Sequence, residues 1–206
     1  MGTASDAEPW IEIAPAESAR GEAEQVDALF ARAARAARAA AGGLPRLWIA
    51  PALGSAHAPR EALRIATGVL AREPGLRVVA ADVAAPDGEG AAWLRLAEDV
   101  ATADAIAGGR LELAFRSLPR DGASLVARLR AAWAGEPVAA REGESGAEVE
   151  VHPAPARRGG PPLWLRCASA REVASAHAAG IGAVVDDARV APPGERVALV
   201  RREVLR

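Results

Sequence analysis

Few side chains in this sequence can do chemistry, and their types narrow what that chemistry is. All 25 basic residues are arginine and lysine is absent, so neither a Schiff base nor a lysine nucleophile can form. Cys167 is the single cysteine, which excludes an internal disulfide and fits a reducing cytoplasm. It ends the apolar run Leu163-Trp164-Leu165-Arg166-Cys167 and reads as a small buried residue. His57 falls in a loop, His152 beside a proline connector and His177 on a helix. Asp186-Asp187 has the look of a metal pair, but no His or Cys stands nearby. A solvated turn is the better reading, and no metal is expected. Ser169 opens a helical run, where a hydroxyl and free backbone N–H groups form an anion site. A plain N-cap would use the same groups. Asp82, at the end of an apolar strand, is the nearest acid or base, and it has no evident partner.

Alternating elements must hold these residues. A first strand, Trp10 to Ala14, is followed by a helix from Gly21 to Ala41, and then by strands at Leu47–Ala50 and Leu76–Ala81 flanking a helix that opens at Pro59. In the stretch from Trp93 to Ser117 the apolar positions recur at helical spacing through Ala107. Gly108-Gly109 stops the helix, and Leu111, Leu113 and Phe115 then alternate as in a strand. A helix carrying Leu125 to Trp133 follows, then a short strand at Glu148–His152. Next come a proline-rich connector, a strand at Leu163–Cys167, a helix through Ala179, a strand at Ile181–Val185 and a last one in Arg196–Leu205. Units of this kind predict a parallel β/α organisation, either a barrel or an open doubly wound sheet. Asp104 falls on the apolar face of its helix and needs a partner, for which Arg110 is the expectation.

The net charge of −2 argues for neither a nucleic-acid nor a membrane partner. Arg32, Arg35 and Arg38 read as a solvated helix face. No apolar run approaches the ~20 residues of a spanning helix. The expectation is a cytoplasmic protein with a flexible N-terminus at 1–8 and one domain at 9–206.

The run Leu-Ala-Glu at 96–98, Asp104, Gly108-Gly109-Arg110 and Leu113 resembles the luciferase-like flavin-dependent monooxygenase family. Trp133-Ala134-Gly135 and the prolines entering Leu163-Trp164-Leu165 are similar to it as well. The resemblance implies a TIM-type barrel. With ~250 residues typical of eight units, it implies an incomplete one of about seven β/α units. It also implies an enzyme, a monooxygenase that uses reduced FMN and O₂ on a small organic substrate. The deazaflavin F420 is a further cofactor, and a catalytically degenerate flavoprotein or partner subunit is the non-enzymatic alternative.

In such a barrel the site lies at the C-terminal strand ends. There the resemblance implies cofactor contacts at Ala80 and Ala81, beside a non-prolyl cis peptide in many relatives, and at Arg116, Ser117 and Ser169, with Arg116 and Ser169 toward the FMN phosphate. No catalytic residue is assigned. Two departures bear on the chemistry. Pro51-Ala52-Leu53 stands where the family has glutamate-histidine, and Ala114 and Arg116 replace glycines. The family's dimer mode implies a homodimer or heterodimer through residues 60–73 and 93–107.

Overall fold

The computed structural model describes residues 10–13, 31, 35, 46–50, 58–86, 92–139, 148–190 and 197–201. The strands β1 (Trp10–Ile13), β2 (Arg46–Ile49), β3 (Arg77–Val83), β4 (Leu111–Phe115), β7 (Leu163–Cys167), β8 (Gly182–Val185) and β9 (Val197–Arg201) form one parallel sheet in that order. The sheet closes on itself, with Trp10 opposite Val200 and Ile11 opposite Arg201. Between the two architectures left open by the element order, the barrel is therefore the one observed. Among the described residues the sheet is not open, because β1 and β9 pair directly.

Four helices are described: α1 (Ala58–Arg72), α2 (Ala92–Ile106), α3 (Gly122–Trp133) and α4 (Ala170–Ala178). The helix expected at 21–41 lies outside the described residues except for Ala31 and Arg35, which are helical, and residues 1–8 lie wholly outside them. The strand expected at Glu148–His152 is shorter. Residues Glu148–Val149 (β6) pair antiparallel with Val138–Ala139 (β5), apart from the barrel.

The sheet buries both faces, and its period-two alternation sorts residues between two cores. Leu47, Ile49, Val78, Ala80, Leu111, Leu113, Phe115, Leu163 and Leu165 face the helices. Trp48, Ala50, Val79, Ala81, Ala114 and Val184 fill the lumen, with Trp164 packed against them. Glu112 shares the lumen side of its strand and is 1% exposed. Its Oε1 accepts from Arg46 Nε at 3.0 Å and its Oε2 from Trp164 Nε1 at 2.8 Å. A buried carboxylate is tolerable because both of its oxygens are satisfied.

Asp104 and Arg110 do not pair, contrary to expectation. The Arg110 guanidinium turns to the C-terminus of α1 and donates to the carbonyls of Leu70, Glu73 and Leu76 at 2.8, 3.0 and 3.3 Å. The Leu70 carbonyl is one left without a helical donor in the last turn of α1, and those of Glu73 and Leu76 belong to the turn that leads into β3. Asp104 is fully buried, and its Oδ2 accepts from the Arg157 backbone N–H at 3.2 Å. Arg157 returns along the same seam to donate to the Gly109 carbonyl. The partner comes from the connector 53 residues away, a distance that local spacing cannot register.

Two outcomes follow for stability. In the lumen, a Cβ on Gly182 would lie 2.1 Å from Trp164 Cε3. Gly182→Ala is therefore expected to cost ~1–3 kcal/mol in urea unfolding, the usual range for overpacking. Burial holds the Asp104 carboxyl above its ordinary 3.8, against the opposing pull of Arg157. The folded state thus keeps this proton at pH values where the unfolded chain has released it, so the contribution to stability declines as pH rises past 3.8. Asp104→Asn removes that slope. Urea midpoints of the parent should fall relative to those of the variant as the pH rises above 3.8, and parallel pH profiles would refute the assignment.

Candidate functional site

At the C-terminal mouth of the barrel the strands β2, β3, β7 and β8 bring together Trp48, Asp82, Arg166 and Asp186. Arg166 lies two residues beyond Trp164 and so shares its lumen face. Its guanidinium carbon sits 5.8 Å from the centre of the Trp48 ring, within cation–π range. Asp186 grips it at 2.9 and 3.2 Å through Nη2 and at 3.3 Å through Nε. On the opposite side Nη1 lies 3.4 Å from Asp82 Oδ2. The arginine thus spans from β7 past β4 to β3 and floors the mouth.

Asp82 reaches this position through a break in the strand. The β3–β4 register shifts between Ala80 and Val83, and Asp82 takes a φ of 53°. Aspartate is among the few non-glycine residues that accept this left-handed conformation. The residue is 8% exposed. Among the described residues the one cis peptide is His152–Pro153, so the chain is trans through Ala80-Ala81-Asp82. Ala80 and Ala81 are both fully buried but lie on opposite sides of the sheet, Ala80 against the helices and Ala81 in the lumen beneath the mouth. Ala80 is thereby separated from the mouth by the sheet itself.

Arg116 and Ser117 are exposed just past β4, and the Arg116 N–H donates to the Val83 carbonyl at 3.1 Å. Arg116 follows the lumen-facing Ala114 by two, so it belongs to the mouth side. Ser169 is the N-cap of α4, where its Oγ accepts from Glu172 N–H at 3.3 Å. The Glu172 carboxylate already takes the Ala168 N–H at 2.7 Å and the Ser169 hydroxyl at 3.1 Å. This is a capping box, and an incoming anion would have to displace Glu172.

The remaining residues stand apart. The Cys167 thiol donates to the Leu165 carbonyl, and burial, aided by Glu172, pushes its pKa up to about 11. A thiol so placed is inert. Asp187 is exposed and accepts from the Arg189 N–H at 2.9 Å, which lowers its pKa. His152 is exposed 3.4 Å from Glu150, His177 is on α4, and His57 lies outside the described residues. Among the described residues no three His, Cys, Asp or Glu side chains are grouped to hold a metal ion.

Trp48, Arg166 and Glu112 went unassigned in the sequence. The available signal was a charge inside the apolar strand Leu163–Cys167, and a single glutamate within Leu111–Phe115. Both look like solvent-facing positions until the lumen is known.

Neither a family sequence profile nor a curated protein sequence matches the chain. Solved structures do match. The monooxygenase RslO1 from Streptomyces bottropensis superposes with a TM-score of 0.58 at 20% identity, over 86% of this chain and 59% of its own. The oxygenating constituent of the Pseudomonas putida 3,6-diketocamphane monooxygenase, solved with FMN, gives a TM-score of 0.61 at 12% identity, over 86% and 57%. The fold is that of the luciferase-like monooxygenases. The coenzyme F420-dependent tetrahydromethanopterin reductase from Methanopyrus kandleri shares this luciferase-like fold, with a TM-score of 0.54 at 15% identity over 87% and 55%. The chain spans little more than half the length of each.

The mouth cluster has a measurable energetic asymmetry. Arg166→Met would leave the Asp82 carboxylate buried without its cation, at an expected cost of ~1–3 kcal/mol in chemical denaturation. The half-exposed Asp186 should tolerate Asp186→Asn at under ~1 kcal/mol. Equal losses would mean that Asp82 does not depend on Arg166.

Proposed function

We propose that the chain is a luciferase-like flavin oxidoreductase that binds its cofactor at the C-terminal mouth of the barrel. The observation that carries this reading is the mouth floor itself. A guanidinium is fixed over an indole ring and flanked by carboxylates, at the strand ends where this barrel class places its chemistry. Its donors and acceptors suit the polar edge of an isoalloxazine ring, and the exposed Arg116 with Ser117 suits a phosphate at the rim.

When bound, reduced FMN supplies two electrons to O₂, one oxygen atom passing to a small organic substrate and the other leaving as water. This chain's residues supply the rest. Arg166 and Asp82 orient the ring and Trp48 closes the lumen below it. Arg116 and Ser117 hold the phosphate, which Ser169 joins once Glu172 moves aside. Ala81 backs the floor from the lumen. Asp82 and Asp186 are the carboxylates that flank Arg166 at the mouth. The chain works in the cytoplasm as a homodimer or heterodimer through residues 60–73 and 93–107. There α1 exposes Arg64 and Arg72, and α2 exposes Glu98 and Asp99.

Two observations support other outcomes on the same fold. The likeness to an F420-dependent reductase supports deazaflavin as the hydride carrier. Among the described residues no histidine stands at the mouth, and Glu172 fills the α4 cap, which supports a non-catalytic flavoprotein or partner subunit.

Titration with FMN, followed by flavin fluorescence quenching, is expected to show saturable binding, and sedimentation is expected to show a dimer. No binding at high micromolar FMN or F420, alone or with a partner, would sink the flavin reading. Binding without NAD(P)H-linked oxygen uptake would move the chain to the non-catalytic reading, and tighter F420 binding to the deazaflavin one.

A further inference from the structure

The mouth floor presents a fixed donor next to a fixed acceptor. Asp186 holds the far side of the Arg166 guanidinium at 2.9 and 3.2 Å, so the arginine cannot turn away from Asp82. Asp82 Oδ2 faces Nη1 at 3.4 Å, and among the described residues Oδ1 accepts no hydrogen bond. The carboxylate is held there by a left-handed residue at the register break, where a glycine would be less strained. The barrel core does not need this carboxylate, because the lumen below it is closed by Trp48, Trp164 and small residues.

The chemistry of the pair selects its ligand. An anion laid on Arg166 would meet two carboxylates against one guanidinium. A cation drawn to Asp82 would meet the guanidinium. A neutral edge that alternates donor and acceptor satisfies both groups. We propose that Asp82 and Arg166 together read the imide edge of the bound ring, Asp82 accepting from the ring N–H and Arg166 donating to a neighbouring carbonyl. The pyrimidine edge of flavins and deazaflavins carries this carbonyl, N–H, carbonyl pattern. The inference rests on the flavin reading above and deepens it by naming which part of the cofactor these residues select.

The test compares FMN with N3-methyl-FMN, which lacks the donor, in equilibrium binding to the full chain and to Asp82→Gly. Glycine suits the backbone at this position, and Arg166 keeps Asp186, so the variant should fold. Circular dichroism checks that it does. The parent should bind FMN at least ~10-fold more tightly than the N-methyl analogue, since a site built around an N–H rejects a ligand without one. Asp82→Gly should bind the two within ~2-fold of each other. Should that variant not fold, Asp82→Asn, which also tolerates the left-handed region, should narrow the preference several-fold. Equal binding of both flavins by the parent, or a preference undiminished in these variants, overturns the inference while leaving the flavin reading intact. Failure of the parent to bind FMN overturns both.

Discussion

A parallel sheet that closes on itself encloses a lumen only a few side chains wide, and every strand must fill it with alternate residues. Here that space is filled largely around one carboxylate. Glu112, almost without solvent contact, binds Arg46 from β2 and Trp164 from β7, so three strands are tied through the interior by charge-assisted hydrogen bonds. Trp164 has room for its ring because its neighbour on β8 is Gly182. The layer above is Trp48 with alanines and valines, which seal the interior. The barrel therefore ends in a floor and not in a hole, and the mouth inherits its shape from that packing.

The same alternation that puts Trp164 inside brings Arg166 to the surface of that floor two residues later. A charged group in this position needs counter-charge from more than one side, and the barrel supplies it from β8 and β3. The β3 contribution depends on a register break, since a regular strand would not carry Asp82 to this point. One guanidinium between two carboxylates makes the floor polar without making it strongly cationic. The exposed guanidinium of Arg116 lies instead at the rim, just past β4.

Outside the sheet, the helices are fastened by backbone groups as much as by side-chain pairs. Arg110 binds the end of α1 and the turn after it through three carbonyls, Trp133 donates to the Ala97 carbonyl at 3.0 Å, and Arg157 with Asp104 clasps the connector to the end of α2. Gly160 lets that connector pass Trp133 closely, as a Cβ there would come within 2.1 Å of the ring. These fastenings hold the outer layer in register with the strands, and so hold the strand ends that form the mouth.

Much of this was legible locally. The strand and helix alternation, the Gly108-Gly109 stop, the Ser169 cap and the buried character of Cys167 all follow from spacing and residue type, because each is decided within a turn or two of chain. The Leu96-to-Leu113 run further pointed to a luciferase-like barrel. What remained hidden was sidedness. In a barrel the helix-facing side is the more apolar, so a polar residue in the alternation can mean the lumen as readily as solvent. Glu112 and Arg166 therefore carried no assignment, and Ala80 and Ala81 looked like neighbours in one site when the sheet divides them. Partners also stayed hidden, since Asp104 meets Arg157, Asp82 meets Arg166 and Glu112 meets Trp164 across intervals of 53, 84 and 52 residues. Closure of the sheet decides those meetings, and closure depends on every strand at once.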